Sequence, residues 1–159
     1  MEDVVVSGIA FDRKQAKISV VDIPDRPGVA ARVFGALGKA GINVDMIVQS
    51  EGTDRRNDIT FTVSEGDLKR ALKALRPVKT ALDADDLVAH ANVGKVAVVG
   101  VGMRSHAGVA SKMFQALADA KINIQLISTS EIKISCVIAR DHIDEAVKVL
   151  HKAFELDKK

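Results

Sequence analysis

The chain contains no tryptophan, no tyrosine and only five phenylalanines in 159 residues. A sheet that binds single-stranded nucleic acid stacks bases on exposed aromatic rings in a basic field. Neither ingredient is here: Phe34, Phe61, Phe114 and Phe154 fall at core spacing, and the net charge is only +2. Nucleic acid is therefore excluded as a partner. No stretch approaches 18 uninterrupted apolar residues, and Met1 is followed by Glu2 and Asp3, so neither a membrane span nor a signal peptide is expected. With one cysteine, Cys136, an internal disulfide is impossible, which suits a reducing cytoplasm. Cys136 lies in the alternating run KISCVIA and reads as a packing residue rather than a nucleophile. The four histidines, His90, His106, His142 and His151, lack metal-ligand spacing with acidic partners. No glycine-rich loop carries a phosphate-cradling lysine, and VAVVGVGMRS offers Gly100 and Gly102 but Ser105 where a dinucleotide fingerprint needs glycine. No catalytic residue, metal or cofactor is expected.

What is present is a repeat. Residues 27 to 50 (PGVAARVFGALGKAGINVDMIVQS) and 107 to 130 (AGVASKMFQALADAKINIQLISTS) align without a gap at an offset of 80 and share 11 of 24 positions. The shared residues include Gly28/Gly108, Val29/Val109, Phe34/Phe114, Leu37/Leu117, Asn43/Asn123, Ile47/Ile127 and Ser50/Ser130. After a length difference in the charged loop Glu51 to Asp58, which reads as a mobile hairpin connection, the match resumes at an offset of 75 with Ile59/Ile134, Ala71/Ala146 and Leu75/Leu150. Such a period is too long for a solenoid and marks a duplicated folding unit.

Each copy reads as strand, helix, strand, strand, helix. In the first these are Ala16 to Ile23, Val29 to Ala40, Ile42 to Gln49, Asp58 to Val63 and Asp67 to Leu75, with Gly41 ending the first helix and Pro77 closing the second. In the second they are Val96 to Val101, Gly108 to Ala120, Ile122 to Thr129, Lys133 to Ala139 and Ile143 to Phe154. One further strand would turn each unit into a ferredoxin-like βαββαβ sandwich, an α+β fold with two helices on one face of an antiparallel sheet. Val78 to Ala81 and Asp86 to Ala89 are candidates in the first copy. The second stops after its last helix, whereas Val4 to Phe11 is a strand with no place in the first. The expected arrangement inserts the first domain, residues 14–91, into a second made of 1–13 plus 92–159, whose closing strand comes from the N-terminus.

The order of strand, Asp/Pro/Gly turn, helix, Gly-Ile-Asn-Val and strand resembles the ACT domain, a module that binds amino acids. More narrowly, VVVSGIAFDRKQAKISV, IPDRPGVAARVF, INVDMIVQS, NDITFTV, VGKVAVVGVGM and INIQLISTSEIKIS together resemble the tandem regulatory region of aspartokinase over essentially the whole chain. The resemblance implies feedback inhibition by threonine, lysine or both, a homodimer through ACT domains, and a catalytic α subunit as partner. It also implies that a separate β subunit can start at an internal methionine.

The turn's own chemistry fits that role. A free amino acid presents a carboxylate beside an ammonium. Gly28, Val29 and Ala30 would offer backbone N–H groups at the positive end of a helix, Pro27 stiffens the turn, and Asp25 could pair with the ammonium. The alternative is that Asp25 only caps the helix and Gly28 only serves the turn. Asn43 and Asn123 likewise could satisfy turn backbone or contact a ligand. By resemblance, the effector lies between the turn of one ACT unit and the helix-to-strand segment of its neighbour: Asp25, Pro27, Gly28, Val29 and Ala30 facing Asn123 and Ile124, with Gln49 approaching. The reciprocal site would join Met103, Ser105, His106, Gly108 and Val109 to Asn43, Val44 and Asp45. Ser50, Thr60 and Ser130 match positions that the family links to feedback sensitivity.

The two sites are unequal, because Asp25-Arg26-Pro27 becomes Ser105-His106-Ala107 and the second loses the carboxylate suited to an ammonium. The expected function is that of a non-catalytic regulatory subunit or region of aspartate kinase, with threonine and/or lysine as effectors. A structural dimerisation module with empty pockets is the alternative.

Overall fold

The computed structural model describes residues 5–51, 54–101 and 106–156. Its elements are β1 (Val5–Pro24), α1 (Val29–Lys39), β2 (Ile47–Glu51), β3 (Arg56–Ser64), α2 (Leu68–Ala81), β4 (Asp86–Val101), α3 (His106–Asp119), β5 (Leu126–Thr129), β6 (Lys133–Ala139) and α4 (Ile143–Ala153). Short 3-10 turns, Glu65–Asp67 and Arg140–His142, lead into α2 and α4. The chain divides into two compact units, one of Lys14–Ala91 and one of Met1–Arg13 with Asn92–Lys159. Both long strands cross between units. β1 contributes its end to the first and its beginning to the second, and β4 does the reverse.

In the unit of Lys14–Ala91 the strand order is β2-β3-β1-β4. Antiparallel pairing sets Ala16 opposite Val63, Ile18 opposite Phe61 and Val20 opposite Ile59, so alternate apolar residues share one face. That face packs on Val29, Val33 and Leu37 of α1 and on Ala71, Leu75 and Val78 of α2 in one buried cluster. Phe34 meets Phe61 edge-on, their ring centroids 5.4 Å apart. The other unit, of strand order β1-β4-β6-β5, repeats the scheme with Val96, Val98, Ile134, Cys136 and Ile138 against Val109, Met113, Leu117, Ile143, Ala146 and Leu150.

Register explains the two sequence offsets. Ile47 lies opposite Phe61 and Ile127 opposite Cys136. The 80-residue and 75-residue shifts thus deliver one pairing twice, and the difference is absorbed in the connection between the two strands. Helix ends repeat too: Ile42 N–H donates to Leu37 C=O at 3.0 Å, and Ile122 N–H to Leu117 C=O at 2.9 Å. Both turns need a left-handed residue, which is Gly41 (φ 71°) in one copy and Lys121 (φ 61°) in the other.

Three local expectations are corrected. Pro77 does not close α2, which continues to Ala81 and turns Val78 to Ala81 into helix rather than strand. Burial of Val78 and Leu82 outweighs the hydrogen bond Pro77 cannot donate. The strand expected from Ile42 begins only at Ile47, because Asp45 and Met46 both bond to Thr62, Asp45 N–H to its carbonyl and Met46 N–H to its hydroxyl, each at 3.0 Å, which breaks the regular ladder. Ala16 to Ile23 and Val4 to Phe11 are not separate strands but lie in one, whose described extent starts at Val5.

Candidate functional site

The turn between β1 and α1 is built from its neighbours outward. Asp25 N–H donates to Arg55 C=O at 2.7 Å, fixing the strand's exit. Gly28 then takes φ 92° and ψ −12° as the residue before the helix. A Cβ there would meet nothing within 4 Å, so the demand for glycine is conformational and the space above the turn is open. Val29 is buried and anchors the helix, while Asp25, Arg26, Pro27, Gly28 and Ala30 are exposed.

No side chain caps α1. The cap position is held by Gly28, which has no side chain, and Asp25 stands three residues before it. The first turn also holds no acidic residue; the Val29 N–H makes a long bond to the Arg26 carbonyl at 3.4 Å, and the electropositive end of the helix carries no opposing charge of its own.

The remaining expected residues fall in three places. Gln49 and Ser50 are exposed on β2 and pair with Ile59 and Asp58 at the same sheet end as the turn. Thr60 faces Ser19 across the β1–β3 ladder, with their hydroxyls 2.8 Å apart. Asn43, Val44 and Asp45 lie at the far end of that unit, where Asp45 N–H donates to Thr62 C=O. Thr62 and Asn57, which pairs with Ile23 beside the turn, are five residues apart on β3, a span of about 17 Å. The turn and the asparagine segment of a single copy therefore cannot hold one small ligand between them.

In the other copy, Asn123 is exposed, while Ile124 is half-buried on its unit's core. Gly108 is exposed and Val109 buried on α3. Ser130 N–H donates to Lys133 C=O at 2.8 Å. Met103 and Ser105 lie outside the described residues, as does the side chain of His106.

Cys136 is fully buried, and burial pushes its thiol up to about 12. The thiolate is the reactive form, so this residue is inert at neutral pH. Burial also lowers the pKa of Lys17 on β1. Among the described residues no group of three or more His, Cys, Asp or Glu side chains could hold a metal, and no helix is long and apolar enough to cross a membrane.

Sequence reasoning missed a polar cluster beside the turn. Arg56 donates through Nε to Asp22 Oδ1 at 2.9 Å and through Nη2 to Asp83 C=O at 2.6 Å, while Asp58 Oδ1 accepts the Asp22 N–H at 2.8 Å. Its advance signal was disagreement between copies, since Asp58 corresponds to Lys133 and Arg56 lies in the loop whose length differs between them.

Twin α+β units, each with two helices packed on one face of an antiparallel sheet, define a tandem of ACT domains, and the ACT domain family matches residues 18–79 and again 96–154. A curated aspartate kinase of Stutzerimonas stutzeri is 50% identical over 157 residues, or 99% of this chain. The chain spans 38% of that relative's length. Among solved structures, one of aspartokinase alpha and beta subunits matches with 48% identity and a TM-score of 0.88, covering 95% of this chain and 99% of that one. The ligand-free regulatory subunit of aspartate kinase from Thermus thermophilus matches with 41% identity and a TM-score of 0.88, covering 94% and 98%. The chain belongs to the aspartokinase family and corresponds to its regulatory ACT-domain region.

Proposed function

We propose that this chain binds the amino-acid end products threonine and/or lysine and transmits feedback inhibition to the catalytic part of an aspartate kinase, itself catalysing nothing. The observation that carries this reading is the uncapped start of α1, with a left-handed glycine and an exposed Asp25 three residues before it. The amides suit the ligand carboxylate and Asp25 its ammonium. Because the asparagine segment of the same copy lies about 17 Å along the sheet, the second wall of each site comes from another copy of the unit. In this reading Asp25, Pro27, Gly28, Val29, Ala30 and Gln49 meet Asn123 and Ile124. Met103, Ser105, His106, Gly108 and Val109 meet Asn43, Val44 and Asp45, and two chains associate through their ACT domains.

The solved structure that contains alpha and beta subunits supports a catalytic α subunit as the partner. An effector that grips two units favours the assembly in which they are closed on each other. Differential affinity for that state is what shifts the equilibrium. Calorimetric titration of threonine and lysine, separately and together, with molecular mass followed by light scattering, tests the proposal. Asp25→Ala should weaken binding by about tenfold or more, the worth of a hydrogen bond between charged groups, with the melting temperature held. Unchanged affinity in that variant would remove Asp25 from the site. A dimer that binds neither amino acid would leave only the dimerisation module.

A further inference from the structure

We infer that Arg56 is a positioning residue for the Asp25–Gly28 turn, present in one copy of the repeat and absent from the other. The inference rests on the reading of that turn as an amino-acid site. Between Val20 and Ile23 the β1–β3 register slips by one residue, a bulge that places Asp22 in the left-handed region at φ 57°. Such a bulge bends its strand and re-aims the chain on its C-terminal side, which here is the turn.

The bulge is held from three sides. Asp58 accepts the Asp22 N–H at 2.8 Å. Arg56 Nε donates to the Asp22 carboxylate at 2.9 Å, and its Nη2 reaches the Asp22 carbonyl as well as that of Asp83 at 2.6 Å. Asp83 is itself left-handed, at φ 53°, just beyond the end of α2. Two residues on, Asp85 N–H donates to Val21 C=O at 2.9 Å. One guanidinium thus joins the exit of β1 to the α2–β4 junction, while the carbonyl of the preceding residue, Arg55, holds Asp25.

The second copy lacks the residues of this clasp. Asp22 and Asp58 correspond to Gly100 and Lys133, while Arg56 lies in the connection that is five residues shorter in the second copy and has no counterpart there. There the β4–β6 ladder runs without a slip from Val93 to Val99, and Gly100 N–H makes a plain backbone bond to Ile132 C=O at 2.8 Å. The clasp accompanies the copy that carries Asp25. Since the Arg56 and Asp22 side chains are 29% and 49% exposed, their ion pair contributes little to stability by charge alone. What the fork adds is geometry: two carbonyls and a carboxylate held by one rigid group.

The test uses the full chain, with threonine and lysine titrated by calorimetry and backbone amide exchange followed by mass spectrometry without effector. Arg56→Ala should weaken binding by about five- to tenfold, somewhat less than loss of a charged hydrogen bond to the ligand itself. It should also speed exchange at residues 22–30 and 83–86, with little change in the two helices. Arg56→Lys should recover only part of the affinity, because an ammonium cannot reproduce the planar fork. Glu131→Gln, in the short connection of the other copy, should leave binding unchanged. Unaltered exchange at 22–30 in Arg56→Ala would overturn the inference, as would unaltered affinity in a chain that binds. If the native chain binds neither amino acid, the reading of the turn fails, and the exchange arm alone still decides whether Arg56 holds it. Should Arg56→Ala not fold, Arg56→Lys and Asp22→Asn carry the same comparison.

Discussion

Gly28 and Lys121 show how single backbone conformations carry the duplicated plan. Gly28 is left-handed with free space where a side chain would go, so its role as turn and helix start was legible in the Asp-Arg-Pro-Gly run. Lys121 was not legible. Its partner Gly41 announced a helix end, whereas a lysine does not, and only the shared register shows that it occupies the same left-handed corner at φ 61°. A non-glycine residue there is strained, by about 1–2 kcal/mol. Lys121→Gly should therefore stabilise the chain by about 1 kcal/mol, after allowing for the added freedom of the unfolded glycine. Chemical denaturation read as a shift of midpoint at constant slope checks this. Arg56 was equally hidden: its partners are two carbonyls and an aspartate on other elements, and a sequence does not say where carbonyls point.

At the level of elements, the helices and the central strands were readable from periodicity, because each buries one stripe or one face. The elements that departed from expectation did so where tertiary contacts overrode local rules. α2 runs through Pro77 since Val78 and Leu82 are both buried beyond it. β2 starts late since Thr62 takes both the Asp45 and the Met46 amide. Gly94 on β4 is the tightest of these positions. A Cβ would lie 2.7 Å from Ile143 side-chain carbons and 2.9 Å from the Asp12 carbonyl oxygen. Side-chain carbons can yield but a paired strand's backbone cannot, so Gly94→Ala should cost about 1–3 kcal/mol. Thermal melting should fall by about 2–4 °C per kcal/mol for a chain of this size. Pairing Gly94→Ala with Ile143→Val should restore part of the loss.

For the whole molecule, the fold class was legible because a repeat short of one strand and a strand short of a home imply each other. The candidate site is written in the sequence only by halves. Each half belongs to a turn or to a segment about 17 Å away, and no pattern in one chain states which copy supplies the other wall. The division into units has its own test. Residues 14–91 expressed alone hold all the elements of one βαββαβ sandwich and should fold cooperatively. Residues 92–159 lack the strand that 1–13 supplies and should remain unfolded until a peptide of residues 1–13 is added, with circular dichroism reporting the gain. Folding of 92–159 without that peptide would show that the borrowed strand is dispensable.

Sharing β1 across both units also sets an order of events during synthesis. Residues 5–13 leave the ribosome before the rest of this region, and their neighbours on β4 emerge some 80 residues later. At about 5–20 residues per second that is a wait of roughly 4–16 s. For that interval an apolar strand stands with bare edges, the situation in which nascent chains pair with the wrong neighbour. The inserted unit, contiguous in sequence, can close meanwhile and leave residues 5–13 projecting from an already folded body, restricted in where they can stray.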